Sequence, residues 1–440
     1  VLIKSENWQA LNLLLEKYRE RVNCVYIDPP YNSPATEILY KNDYKDSCWL
    51  TLICDRLLLS RQLLQPDAPY AIAIDDYEQH HLAELHDNVM PDYERYTVVV
   101  NHHPQGGMSH NISRTHEYML VLVPSGLDVL RGKQKTGEVE YRSFMLSGPG
   151  ENKSRSGRPN SFYAVLIDPD TNRVVGVEPP PPPSQAYPTG KTDEGYERIY
   201  PINSSGEEKV WCRSYRSAVE LLAKGKIILT DNGTLKVAFD LKGRRHNLMS
   251  NWIHSRYNAG PHGTALLANI IGNREAFAYP KSIYTVIDAI EAMTWQTDCP
   301  VILDYFAGSG TTAHAVIDLN REDGGKRKYI LVEIGDWFET VMLPRIKKVV
   351  FCEKWKDGKP QGGPGVSHML KYQYLEQYED TLNNLELPRE REGQSAFETF
   401  GDEYLLKYML DFETQGSPSL LNLDMFKDPF AYKLKVQEGD

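Results

Sequence analysis

Four short apolar runs, each closed by an acid, constrain this chain more than any other feature: Val25-Tyr26-Ile27-Asp28, Tyr70-Ala71-Ile72-Ala73-Ile74-Asp75-Asp76, Val301-Ile302-Leu303-Asp304 and Tyr329-Ile330-Leu331-Val332-Glu333. Uninterrupted apolar stretches of this length suit strands buried on both faces. Between them apolar residues recur at helical spacing. Leu11, Leu14, Leu15 and Tyr18 predict a helix within 1–23, and Leu52, Arg56, Leu59 and Leu63 predict one from near Trp49 to just before Pro66. Further helices are expected at Tyr77 to Asn88, at Ser282 to Thr294, and at Trp337 to Val350 with a kink at Pro344. Tyr96 to Val100 and Tyr118 to Val123 read as two more strands, separated by a polar loop with His102, His103, Gly106, Gly107 and His110. Strands alternating with helices predict a parallel α/β sheet, whose ligands gather at the carboxyl ends of the strands.

The chain's 440 residues exceed one compact core and imply two or three domains. Its six cysteines are scattered, without a C-x-x-C pair, so neither a disulfide framework nor a structural zinc site is suggested and a reducing cytoplasm fits. The histidines lack the H-E-x-x-H spacing of a zinc enzyme, and no metal is expected. No run of about 18 apolar residues occurs, so no membrane partner is expected. The first residue is Val1 rather than Met, which leaves room for flanking sequence.

Asp28-Pro29-Pro30-Tyr31 follows the first apolar run. Two prolines fix φ near −65° and remove amide donors, so the loop presents a carboxylate, bare carbonyls and an aromatic ring in one stiff arrangement. A planar base could stack on Tyr31 while its amino group donates to Asp28 and the Pro29 carbonyl. Taken alone, the loop is equally an ordinary strand exit.

A second turn gives that reading a counterpart. Asp304-Tyr305-Phe306-Ala307-Gly308-Ser309-Gly310-Thr311-Thr312 runs from strand through a glycine turn into a helix start. Gly308 and Gly310 permit close backbone approach, and the helix presents free amides. Glu333, ending the next strand, suits ribose hydroxyls. The absence of Gly-Lys-Ser/Thr disfavours a phosphate cradle and points to a nucleoside without phosphates.

Between these halves the character changes. Ser147 to Asn160 is rich in Gly, Ser, Lys and Arg, Pro179 to Pro183 is an expected polyproline II run, and hairpins are predicted at Tyr163–Val177 and Ile227–Val237. Net charge is −11, yet Arg131 to Arg256 holds 20 Lys and Arg against 14 acids, a surplus of +6 in an otherwise acidic chain. Aromatic and basic residues intermingle there: Trp211, Arg213, Tyr215, Arg216, Arg244, Arg245, His246, Trp252, Arg256 and Tyr257. The segment reads as an inserted domain equipped for phosphate contacts and base-edge readout. Residues 356–440, including Tyr404 to Leu410, suggest a structural or assembly appendage of mixed helix and strand.

The early Asp28-Pro29-Pro30-Tyr31, the late Asp304-x-Phe306-x-Gly308-Ser309-Gly310 and the Phe277 to Ser282 element before it resemble the DNA amino-methyltransferases in their β-class order. More narrowly, the segment Tyr44 to Leu64 with Trp49 and Arg56-Leu57, Ile74-Asp75-Asp76, His116-Glu117-Tyr118, Tyr257-Asn258-Ala259-Gly260 and Leu331-Val332-Glu333 are similar to the modification subunits of type III restriction-modification systems. The resemblance covers roughly 1–125 and 250–350. It implies a Rossmann-like methyltransferase sheet using S-adenosylmethionine, with a catalytic half at 1–125, a target-recognition domain at 126–260, a cofactor-binding half at 261–355 and the appendage beyond. Asp28, Pro29, Pro30 and Tyr31 would be catalytic. Lys281, Ser282, Asp304, Phe306, Gly308, Ser309, Gly310, Thr311 and Glu333 would hold the cofactor, with Lys281 and Ser282 at its carboxylate. Asp in the first motif position favours adenine N6 in duplex DNA over cytosine N4, where the family more often shows Ser. Methylation of another planar amine, in cytosine, RNA or a glutamine side chain, and a DNA-binding scaffold that retains the fold, stay open. So do an attached restriction subunit and a homodimer.

Overall fold

The computed structural model describes residues 1–32, 45–106, 111–183 and 185–376. Gly107, His110, Tyr44 and the Tyr404 to Leu410 stretch therefore lie outside the described residues. The chain divides into two units. One joins Val1–Lys133 to the chain from Asn247 onward, and the other is Gln134–His246.

The first unit is built on a nine-stranded sheet. Its strands are β1 (Leu2–Lys4), β2 (Cys24–Ile27), β3 (Tyr70–Ile74), β4 (Tyr93–Val100), β5 (Glu117–Pro124), β6 (Asn251–Trp252), β7 (Val301–Asp304), β8 (Lys328–Glu333) and β9 (Tyr372–Tyr374), in the spatial order β6-β4-β5-β3-β2-β7-β8-β1-β9. All neighbours pair parallel except at β5, which runs antiparallel to both β3 and β4. The sheet is thus mixed, where the sequence predicted a parallel one. The reason is the short polar connection from β4 to β5, which returns the chain beside itself instead of crossing over through a helix.

Alternate residues supply the two faces. Val25, Ile27, Ile72, Ile74, Leu303, Ile330 and Val332 pack with Leu11 and Leu14 of α1 (Asn7–Tyr18), Trp49, Ile53 and Leu57 of α2 (Lys45–Arg61) and Leu82 of α3 (Gln79–Val89). Tyr26, Ala71, Ile302 and Leu331 pack on the other side, with Val286 and Ile290 of α5 (Ile283–Thr294), Ala313 and Val316 of α6 (Thr311–Asp323), and Ile346 and Val349 of α7 (Leu343–Phe351); Ile270 of α4 (Ala265–Ile271) joins them. This three-layer arrangement is the Rossmann-like sandwich.

Two local expectations change. The first residues form a strand, not the start of a helix, because Leu2 and Ile3 are wholly buried opposite Leu331 and Val332. The helix begins only at Asn7, where the Glu6 carboxylate accepts from the amides of Trp8 (2.7 Å) and Gln9 (3.2 Å). The predicted kinked helix around Pro344 is instead a wide π turn, Phe338–Met342, leading into α7 with Pro344 in its first turn. Proline supplies no amide and crowds the carbonyl four residues back, and the wider i→i+5 pattern accommodates both. Within the segment expected as an appendage, Tyr372–Tyr374 completes the edge of this sheet beside β1.

The second unit consists of antiparallel pieces. Val165–Asp168 lies between Arg173–Val177 and Glu197–Ile199, and Leu235–Asp240 lies between Ile227–Leu229 and Val139–Ser143. A helix at Tyr215–Ala223, not predicted, buries Ala218 against Phe144, Tyr163, Val165 and Val237. Trp211 is core rather than readout surface: it is 3% exposed, stacks on Phe144 at 5.0 Å, and donates its indole N–H to the Tyr163 carbonyl.

Candidate active site

The sheet order brings together turns that are 276 residues apart in sequence. Strand β2, which leads directly into Asp28, pairs with β7, which ends at Asp304, and β7 pairs with β8, which ends at Glu333. From β2 the chain proceeds to β3 on one side, and from β7 it proceeds to β8 on the other. The boundary between them is the switch point at which open α/β sheets form their ligand crevice.

On the β2 side the proline loop is braced from below. The Trp49 indole donates to the Pro30 carbonyl at 2.7 Å, and Asn32, at φ +55°, donates to the buried Glu78 carboxylate at 2.7 Å. Tyr31 is thereby presented with its hydroxyl on Glu117, 3.1 Å away. Lys281 closes the group. Its ammonium is 3.0 Å from Asp28 Oδ1 and 3.0 Å from Glu117 Oε2, donates to the Tyr31 hydroxyl, and stands 4.6 Å from the centre of the Tyr31 ring. Burial pushes the Asp28 carboxyl up, with Lys281 opposing, whereas Glu117, although burial works against its charge, is held below the usual carboxylate range by Lys281. The two carboxylates share one ammonium, and Glu117 is the more enclosed of the two.

Glu117 was missing from the residues predicted for the site. It stands at the start of a strand, where a parallel sheet would have put it on the opposite edge. Because β5 is reversed, its first residue falls among the carboxyl ends of its neighbours. His116-Glu117 at the boundary of a polar loop and an apolar run was the available signal.

On the β7 side, Asp304 is buried and occupied. Its oxygens accept from the Phe306 amide (3.0 Å) and the Thr312 hydroxyl (2.5 Å), and burial raises its pKa to about 7. Asp304 thereby shapes the turn. Gly308 and Gly310 have φ of +52° and +78°, and a Cβ at Gly310 would lie 2.7 Å from Met342 Cγ. Glu333 accepts from the Gly308 amide (2.7 Å) through one oxygen and from the Ile334 (2.9 Å) and Gly335 (2.8 Å) amides through the other.

Beneath the turn lies Arg345, wholly buried and absent from the sequence reading. It donates to the Ser309 carbonyl (3.2 Å), the Ser309 hydroxyl (2.9 Å) and the Thr311 hydroxyl (2.9 Å). The Ser309 and Thr311 side chains thus point into the protein, which leaves their backbone for a ligand. Ser282 is likewise turned inward, donating to the Arg256 carbonyl at 2.7 Å. Phe306 is half-buried beside Tyr305. Phe277 lies 3.3 Å from where a Gly308 Cβ would be and meets Trp337 edge to face, giving the turn an aromatic wall.

Among the described residues no cluster has the makings of a metal site, and no helix is long and apolar enough to cross a membrane. A cavity of about 300 Å³ lined by Val98, Met119, Val121, Leu130, Leu248 and Trp252 shares no residue with the groups above. Of the basic surplus predicted for 131–256, half comes from Arg131, Lys133 and Arg256 in the first unit, where Arg256 pairs with Asp288; Gln134–His246 retains 17 Lys and Arg against 14 acids.

A sequence model of the family described as DNA methylase matches residues 22–342. Type II methyltransferase M.KpnI of Klebsiella pneumoniae is 31% identical over 349 residues, taking in 74% of this chain and 79% of that protein. The Mod subunit of the type III restriction-modification enzyme EcoPI, from Escherichia phage P1, is 26% identical over 397 residues, 76% of this chain and 57% of the subunit. The corresponding StyLTI Mod subunit of Salmonella typhimurium is 26% identical over 368 residues, 76% of this chain and 52% of the subunit. The chain thus spans little more than half the length of these two Mod subunits.

Proposed function

The chain belongs to the DNA methylase family, and from that premise we propose that it transfers a methyl group from S-adenosylmethionine to the N6 amine of an adenine in duplex DNA, with the base turned out of the helix onto the Asp28–Tyr31 loop. The observation that carries this reading is the pairing of β2 with β7, which sets an amine-accepting carboxylate beside a glycine turn at the switch point. Adenine is the choice that the family resemblance implies for Asp in the first motif position, where Ser more often goes with cytosine N4; the carboxylate would accept the amino hydrogens and leave the Tyr31 ring free to stack.

The turn suits the cofactor on chemical grounds. Its two left-handed glycines leave no room for side chains, its amides are backed by a carboxylate, and Glu333 retains one lone pair, on the oxygen that bonds Gly308, for a ribose hydroxyl beyond the three it spends on amides. When bound, S-adenosylmethionine supplies a methyl group on a positively charged sulfur. The protein's part is positional. Asp28 and the Pro29 carbonyl accept the two N6 hydrogens and localise the nitrogen lone pair, and Tyr31 fixes the ring plane, so that the nitrogen is aimed at the methyl carbon. Once methylated the amine would be acidic, and Asp28, whose basicity burial increases, would accept its proton.

The Gln134–His246 unit is the part assigned to sequence preference. The partners that follow are duplex DNA, a restriction subunit and a second copy of the chain, acting in the cytoplasm. The test is incubation with labelled cofactor and defined duplex DNA, followed by nucleoside analysis. Label on N6-methyladenine is expected, and label confined to cytosine or RNA would overturn the substrate assignment.

A further inference from the structure

The Asp28 carboxylate already has an occupant. Lys281 Nζ donates to Asp28 at 3.0 Å and stands over the Tyr31 ring at 4.6 Å, the two contacts that the proposed reaction asks of the target amine and its ring. A base cannot take that place while Lys281 holds it. The same ammonium is also 3.0 Å from Glu117 Oε2, and the Glu117 side chain is only 4% exposed.

We propose that Lys281 is an internal stand-in for the target amine and that Glu117 is a positioning residue, acting through Lys281, which takes over the ammonium when a base arrives and so frees Asp28. This rests on the function proposed above. The exchange needs little motion, since both carboxylates are already within bonding distance of one nitrogen. It also keeps the charges paired: Lys281 is never left buried without a carboxylate, which would be costly, and Asp28 is never left facing Glu117 without either Lys281 or an amine between them. Besides Asp28 and Glu117, the Tyr31 hydroxyl bonds the ammonium, and His102 Nδ1 lies 3.9 Å from Glu117 Oε2. The Lys281 backbone is set by its neighbours. Pro280 precedes it, and the Ser282 hydroxyl is tied to the Arg256 carbonyl, so motion is confined to the side chain.

The proposal makes Glu117 matter only through Lys281. In Glu117→Gln, Asp28 becomes the single anionic partner of Lys281, so the ammonium stays on Asp28 and competes with the base. KM for unmethylated phage DNA at saturating S-adenosylmethionine should rise about tenfold, with kcat within a few-fold of wild type. In a Lys281→Met background the same Glu117→Gln change should leave that KM unaltered. An equal rise in both backgrounds, or a loss confined to kcat, would overturn the proposal. Acetylation of Lys281, read by mass spectrometry on the free full chain, provides a readout that needs no turnover. Lys281 should stay protected in Asp28→Ala, because Glu117 retains it, and should become reactive in Asp28→Ala/Glu117→Gln. If Asp28→Ala alone exposed it as fully as the double change, Glu117 would not be a second anchor. Should wild type transfer no methyl group to DNA, the proposed function fails, while the labelling still decides the position of Lys281.

Discussion

Asp304 offers an unusual handle on the cofactor turn, because replacing it by its neutral isostere should make the protein less sensitive to alkali. Its carboxyl is buried among the ends of three strands, and desolvation, reinforced by the nearby Asp28 and Glu333 charges, raises its pKa from 3.8 to about 7, against the pull of Thr312 and the Phe306 amide. A group with a raised folded pKa binds a proton more tightly when folded. Its contribution to stability is therefore full below the unfolded value and is lost as pH rises through the folded one. Between pH 5 and pH 8 that loss comes to roughly 2.5 kcal/mol, at 1.36 kcal/mol per pKa unit. Asn at this position keeps an acceptor for the Phe306 amide and offers Thr312 a donor, so the turn should persist. Urea unfolding of wild type and Asp304→Asn at pH 5, 6, 7 and 8 reads the difference directly. The two stability curves should converge or cross as pH rises, with wild type losing about 2.5 kcal/mol more than the variant over that range. Parallel curves would mean that Asp304 is ionised throughout and that the turn is held by a charge, contrary to this reasoning.

Other perturbations separate the two halves of the site. Arg345→Met leaves the Ser309 and Thr311 hydroxyls and the Ser309 carbonyl without their shared donor; a stability loss of about 1–3 kcal/mol in thermal or urea unfolding is expected, with weaker cofactor binding by calorimetry. Gly310→Ala meets Met342 Cγ at 2.7 Å in a left-handed conformation and should cost about 2–4 kcal/mol in the same unfolding assay. Gly308→Val should abolish cofactor binding in calorimetry by filling the turn, and unchanged affinity would relocate the pocket. In the second unit, Trp211→Ala should lower stability by about 3–5 kcal/mol, because the ring is core; a variant that kept its stability and lost only DNA affinity would restore Trp211 to the binding surface.

The parts of the fold that were legible are those whose signal is local. The runs at Val25, Tyr70, Val301 and Tyr329 are apolar throughout because both faces of their strands are covered, and the acid closing each run marks the carboxyl edge of the sheet. The hairpins at Val165–Val177 and Ile227–Val237 announced themselves through their turns. What could not be read depends on pairing. Leu2 and Ile3 form a strand only because β8 and β9 flank them, and nothing in three residues says so. Glu117 joins the site only because one strand is reversed. Arg345 lies in an amphipathic helix, where an arginine ordinarily faces water, and its burial follows from acceptors contributed by a turn 36 residues earlier. The interleaved aromatic and basic residues misled in a different way. Trp211 is buried in the core of the second unit, and Trp252 and Tyr257 are buried in that of the first, where their large apolar area is removed from water.

The residues expected at the cofactor divide the work of the site among them. Lys281, read as a partner of the cofactor carboxylate, stands on Asp28 and Glu117. Ser282, Ser309 and Thr311 turn their hydroxyls inward and serve the backbone that carries them. The glycine turn is consequently a main-chain surface whose side chains work from below.

In the proposed reaction Asp28 holds an adenine amine for methylation. The most direct test compares the nucleosides of DNA from a host without its own adenine methylation, expressing either the wild-type chain or Asp28→Ala. N6-methyladenine should appear with wild type and be absent with Asp28→Ala, while the purified variant still binds S-adenosylmethionine in calorimetry. Methylation at cytosine N4, or N6-methyladenine that persists without the Asp28 carboxylate, would contradict the account.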